Sequence, residues 1–173
     1  VAGEPIGLIG GLLDEGDKLC LGHACGRVLA IPGHTPACVG YQFDDFIVAG
    51  DTLFMPDYGT ARCDFPGGDA RTLYRSISRI LALPPQTRLF TGHDYAPNGR
   101  AYAWEATVAE QAAKNVHIAG KTEDEFVALR EGRDRTLNAP HLILPALQVN
   151  IRAGVLPPPE PNGVRYLKLP IDA

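Results

Sequence analysis

Three short apolar runs in this chain end in the same way. One leads into Gly33-His34-Thr35, the next into Gly50-Asp51-Thr52, and the last into Gly92-His93. Glycine lets a backbone turn sharply as it leaves a sheet, and the side chain that follows can point into a cleft at the strand ends. If the runs are strands of one sheet that finish on one side, His34, Asp51 and His93 converge. Imidazole with carboxylate suits zinc or non-haem iron better than calcium or magnesium. Each motif alone reads as a turn or a helix cap. Its repetition raises a shared metal site to a reading level with that of separate turns.

The rest of the chain supplies elements to carry these ends. Lys18 to Leu21, Arg27 to Ile31, Val39 to Phe43 and Phe46 to Ala49 are apolar runs of strand length separated by turn residues. Asp44-Asp45 suits a hairpin between the last two. Residues 1–16 and 56–68 read as loops. Asp69 stands where a helix N-cap belongs, and Leu73, Ile77, Ile80 and Leu81 recur at helical spacing, up to a stop before Pro84-Pro85. Arg88 to Thr91 is a short strand. Residues 100–115 are predicted helical, with Trp104, Val108, Gln111 and Ala112 on one face and Trp104 in the core. Thr122-Glu123-Asp124-Glu125 is a capping box that opens a helix to about Arg135. The proline-rich tail offers only a possible strand from Gln148 to Ile151.

Composition narrows the classes. The net charge of −4 is spread without a basic stripe, which argues against nucleic acid and anionic membrane as partners. The longest apolar runs, Phe46 to Gly50 and Leu142 to Leu147, are too short to cross a bilayer. At 173 residues and 45% hydrophobic, the chain can form one domain with its own core. The cysteines, Cys20, Cys25, Cys38 and Cys63, include no C-x-x-C pair. They are expected as free thiols, which with the lack of a legible leader points to the cytoplasm.

In this order, "PGHTPACVGY", "AGDTLF" and "TGHDY" resemble the later motifs of the metallo-β-lactamase superfamily, and within it the glyoxalase II and persulfide dioxygenase branch. "GTARCDFPGGDARTLYRSI" is similar to the Gly-Arg-Thr-Asp-Phe stretch of persulfide dioxygenases, with Ala61-Arg62-Cys63-Asp64-Phe65 in its place. "WEATVAEQAAKN", "EDEFVALR" and "LPALQVNIRAG" resemble the C-terminal part of those enzymes. The resemblance implies an α/β fold, an αββα sandwich, of which residues 1–115 are the later part and residues 116–173 a C-terminal helix with a proline-rich extension, all within one domain. The superfamily's leading His-x-His-x-Asp-His motif has no counterpart among His23, His34, His93, His117 and His141. The chain is therefore expected to be the later portion of the fold. His23 reads as a half-buried strand residue, and His117 and His141 as surface or packing residues. Cys63 and Tyr74 read as packing.

The resemblance also assigns roles. His34 and Asp51 become metal ligands, and His93 matches the position that binds a second metal in dinuclear hydrolases. Tyr95 is placed near the open position as a catalytic or substrate-binding group, and Arg62 is placed to meet a substrate carboxylate. The implied cofactor is one iron(II), or one or two zinc ions. The implied substrate is a small glutathione-like thiol or persulfide, and a homodimer is compatible. Persulfide dioxygenation stands first, thioester hydrolysis second, and an inactive binding or dimerisation homologue third.

Overall fold

A computed structural model describes residues 12–169. The loop expected over residues 1–16 therefore lies mostly outside the described residues. The described residues fall into two compact units, one spanning Leu13–Leu137 and the other containing residues 138–169.

The larger unit is mixed α/β, as expected. Its strands are β1 (Lys18–Leu21), β2 (Ala24–Ala30), β3 (Val39–Gln42), β4 (Phe46–Val48), β5 (Arg88–Phe90) and β6 (Glu105–Thr107). They form one six-stranded sheet in sequence order. β1 to β4 are joined by antiparallel hairpins. β4 and β5 are parallel, so the chain must cross over between them. That crossover contains helix α1 (Ala70–Leu81), which starts where Asp69 accepts a hydrogen bond from Thr72 N. Helices α2 (Val108–Lys114) and α3 (Glu123–Asp134) follow β6.

Period decides which face is covered. Leu73, Ile77 and Ile80 of α1 meet Leu29, Ile47 and Leu89 from the sheet and Phe126 from α3 in one buried cluster. Each such side chain contributes roughly 1.5–3 kcal/mol on burial. On the other face Tyr41, Phe46 and Phe90 are half-buried and Val48 is exposed.

Four local expectations are corrected. Residues 100–115 are not one helix. β6 pairs with β5, and α2 begins only after Thr107, whose hydroxyl and Glu110 complete a reciprocal capping box. Sheet pairing outweighs helix propensity here, and Trp104 is exposed at the strand's entrance rather than in the core. His23 is not a strand residue: it lies exposed in the two-residue turn between β1 and β2. That turn sets Cys20 directly opposite Cys25, and the two form a disulfide, so only Cys38 and Cys63 are free thiols. In the smaller unit Ile143–Asn150 is a helix, α4, where a strand was expected over Gln148 to Ile151. No partner strand pairs with that segment among the described residues, and Gln148 instead binds Lys168 through both its amide nitrogen and its oxygen.

Candidate functional site

The three glycine-led strand ends adopt different geometries for different reasons. After β2, Gly33 takes a φ of +137°, and a Cβ there would lie 2.4 Å from the backbone of Leu73. Only glycine lets the chain pass this close to the start of α1, where Asp69 N donates to Gly33 O. His34 follows. Its Nδ1 lies 2.7 Å from Arg62 O. A carbonyl can only accept, so Nδ1 carries the hydrogen, and in the neutral ring Nε2 keeps its lone pair. The His34 ring meets Phe65 edge-on at 5.3 Å.

After β4, Gly50 turns at φ +52° with open space around it. Asp51 follows and leans over the exit of β5. Gly92 N donates to Gly50 O, and the next residue, His93, places Nδ1 3.0 Å from Asp51 Oδ1. Both side chains are roughly two-fifths exposed, at 45% for His93 and 38% for Asp51. The His93 ring packs at 5.1 Å from Phe54 and 4.7 Å from Tyr95, and Tyr95 stacks on Tyr58 at 4.1 Å. Partial burial raises the Tyr95 hydroxyl above the ordinary tyrosine range, with Tyr58 and Asp51 adding to the shift and Arg62 opposing it.

Arg62 was expected to offer its fork to a substrate. It holds Asp64 through Nε and Nη2, and its guanidinium lies over Phe65 at 5.1 Å. This pair raises the Arg62 pKa and lowers that of Asp64. Asp94, between His93 and Tyr95, is a residue that motif reading passed over. It accepts two hydrogen bonds from Arg100 and one from Ala103 N, and Arg100 also binds Asp57. The segment bearing His93 and Tyr95 is thereby tied to the loop before Tyr58. The one local signal was an acid placed six residues before an arginine.

A second missed feature lies beneath the Arg62 loop. Arg130, His117 and Asp134 are buried together. Arg130 binds Asp134 and Thr60 O, Asp134 accepts from Cys63 N, and Thr60 N donates to His117 Nδ1. His117 is therefore buried and hydrogen-bonded, and burial with nearby Arg130 pushes its pKa down to about 4. Cys63 is a buried packing residue, with its thiol pushed up to about 12 by burial. Tyr74 packs against the core, and His141 is exposed.

The fold thus brings Asp51, His93 and Tyr95 together, and places His34 with Arg62 and Phe65. Among the described residues no three His, Cys, Asp or Glu side chains are grouped to hold a metal ion. The donor chemistry of His34 still fits one. A metal-binding histidine characteristically donates its other ring nitrogen to a carbonyl or carboxylate, which fixes the tautomer and aims the free nitrogen. His34 has that arrangement on Arg62 O.

Comparison with known proteins gives four findings. Residues 13–93 match the family described as the metallo-beta-lactamase superfamily. A protein of Burkholderia pseudomallei named "Probable metallo-hydrolase" is 60% identical over 94% of this chain and 59% of its own length. The mitochondrial persulfide dioxygenase of Mus musculus is 34% identical over 85% of this chain and 55% of its own. The crystal structure of ETHE1 from Myxococcus xanthus superposes with a TM-score of 0.73 at 35% identity, over 83% of this chain and 60% of that one. The chain therefore spans only 59%, 55% and 60% of the lengths of these three proteins. No helix among the described residues is long and apolar enough to cross a membrane.

Proposed function

Because residues 13–93 belong to the metallo-β-lactamase superfamily, we propose that this chain is the later part of a metal-dependent enzyme that oxidises a glutathione-type persulfide. The observation that carries this reading is the His93–Asp51 contact. His93 Nδ1 lies 3.0 Å from Asp51 Oδ1, close enough to pair with the carboxylate when the ring is protonated. His93 then orients the carboxylate, and the ligand roles fall to Asp51 and His34 Nε2.

Iron(II) held by these two residues with further donors would supply open positions at which sulfur and oxygen react. The chain's own groups do the rest. His34 is aimed by Arg62 O, so the ligand is coupled to the loop that recognises substrate. A substrate carboxylate would compete with Asp64 for Arg62, whose planar fork suits it. Tyr95, a phenol protonated at neutral pH and held so more firmly by partial burial, offers a hydroxyl donor on this side of the site. The Phe54, Tyr58 and Tyr95 rings pack against one another on this side. The substrate is a small molecule of the glutathione type.

A second reading is thioester hydrolysis with two metals, supported by the hydrolase name of the Burkholderia relative. There His93 leaves Asp51 and becomes a ligand itself. Oxygen uptake with glutathione persulfide, measured beside hydrolysis of S-lactoylglutathione, separates the two. Uptake supports dioxygenation; hydrolysis without uptake overturns it.

A further inference from the structure

The β1–β2 hairpin carries a second cluster of reactive and charged groups. Register sets Lys18 opposite Arg27 and Cys20 opposite Cys25. Alternate residues of a strand share a face, so both pairs lie on one side of the hairpin. Arg27 is in turn opposite Gln42 of β3. Lys18, Cys20, Cys25 and Arg27 are all exposed.

Like charges directly opposite one another in an antiparallel pair repel. Lys18 and Arg27 are such a pair, and neither has an ion-pair partner among the described residues. Beside them is a cavity of about 290 Å³ lined by Lys18, Cys25, Arg27, Gln42, Phe43 and Asp44. Two unpaired cations over a cavity suit an anion, while Asp44 at the same wall suits an amine. The disulfide presents Cys25 to that cavity, and Cys20 is absent from its lining.

We infer that this cavity is a thiol–disulfide exchange site for a small thiol bearing carboxylates, seated by Lys18 and Arg27 against Cys25. The inference stands apart from the proposed function, since none of the lining residues belongs to the Asp51 cluster. The incoming thiolate attacks Cys25 Sγ. A new S–S bond forms there, the Cys20–Cys25 bond breaks, and Cys20 leaves as thiolate near Lys18, whose charge favours that form. A second thiolate attacks the sulfur of the bound thiol, releases the Cys25 thiolate and forms a small-molecule disulfide. The protein disulfide gains two electrons, and two thiols are oxidised.

The test follows reduction of the disulfide in the folded full chain by acid quenching, alkylation and mass spectrometry. Glutathione is compared with mercaptoethanol, which is neutral. In the double variant Lys18→Gln, Arg27→Gln, the glutathione rate should fall roughly tenfold, as expected on removing a steering charge, and the mercaptoethanol rate should hold. Equal slowing of both thiols, or of neither, overturns the inference. Single-cysteine variants locate the attack with oxidised glutathione. Cys20→Ser should form the mixed disulfide at Cys25 faster than Cys25→Ser forms it at Cys20. Equal rates in the two variants also overturn it. Far-ultraviolet circular dichroism checks that each variant is folded.

Discussion

Gly92 lies so close to Asp51 that a Cβ at position 92 would stand 2.5 Å from Asp51 Oδ1. Its backbone does not need a left-handed conformation; it needs to be bare. The strand-end glycines therefore divide. Gly33 and Gly50 turn the chain at positive φ, and Gly92 makes room for a carboxylate.

Gly92→Ala should displace the Asp51 carboxylate, with Gly50 backbone atoms at 3.1 and 3.3 Å leaving the new methyl little space. Metal content after dialysis should fall about tenfold or more, by analogy with disrupted ligand orientation. Gly50→Ala meets no atom within 4 Å and should cost about 1–2 kcal/mol of backbone strain. Melting curves and metal analysis on both variants check the contrast.

His93→Ala and His34→Ala separate the two chemical readings. If His93 orients Asp51 without binding the metal, its loss should weaken metal binding about tenfold, whereas loss of the ligand His34 should empty the site. Equal losses by metal analysis would favour the dinuclear hydrolase.

Arg62→Lys keeps the charge and removes the fork that holds Asp64. Under the proposed function KM for a glutathione-type substrate should rise about tenfold or more, since a charged hydrogen bond is worth roughly 1.5–3 kcal/mol, with a smaller change in kcat. Steady-state kinetics decides between this and a fall in kcat alone.

The pair Arg130–Asp134 is buried, and Asp134 also holds Cys63 N. Asp134→Asn leaves a buried guanidinium without its counter-charge and should cost about 3–5 kcal/mol. Urea denaturation measures it. Because this pair anchors the Thr60 to Cys63 segment, KM should respond along with stability.

His117 links stability to pH. Its folded pKa of about 4 lies below the ordinary histidine value of 6.5. The unfolded chain then takes up the proton first as pH falls, so the stability is whole above about pH 6.5 and is lost between there and about pH 4. The full loss is about 3 kcal/mol at 1.36 kcal/mol per unit. Asp64 and Asp94 have lowered pKa values through Arg62 and Arg100, so their share is lost at more acidic pH, below the ordinary carboxylate value. Urea denaturation at several pH values should show the first window flattened in His117→Gln.

Much of the larger unit was legible because its signals are local. Asp69 and Thr122 cap their helices as the sequence indicates, Leu73, Ile77 and Ile80 face the core, and the strands of residues 18–48 lie close to where they were expected. The α2 boundary was also written locally, in Thr107-Val108-Ala109-Glu110, but a helical run of similar spacing masked it.

What the sequence determined by itself was the set of elements and the residue types at their ends, since period, caps and glycines act over a few neighbouring residues. Tertiary structure decided which of those residues meet. The pairing of β5 between β4 and β6 brings His93 to Asp51 and leaves Trp104 outside. Antiparallel register turns two cysteines into a disulfide and two cations into neighbours. The burial of Arg130 seats the loop whose carbonyl aims His34. Each of these depends on register or packing between segments far apart in the chain, where a shift of one residue moves every side chain to the other face.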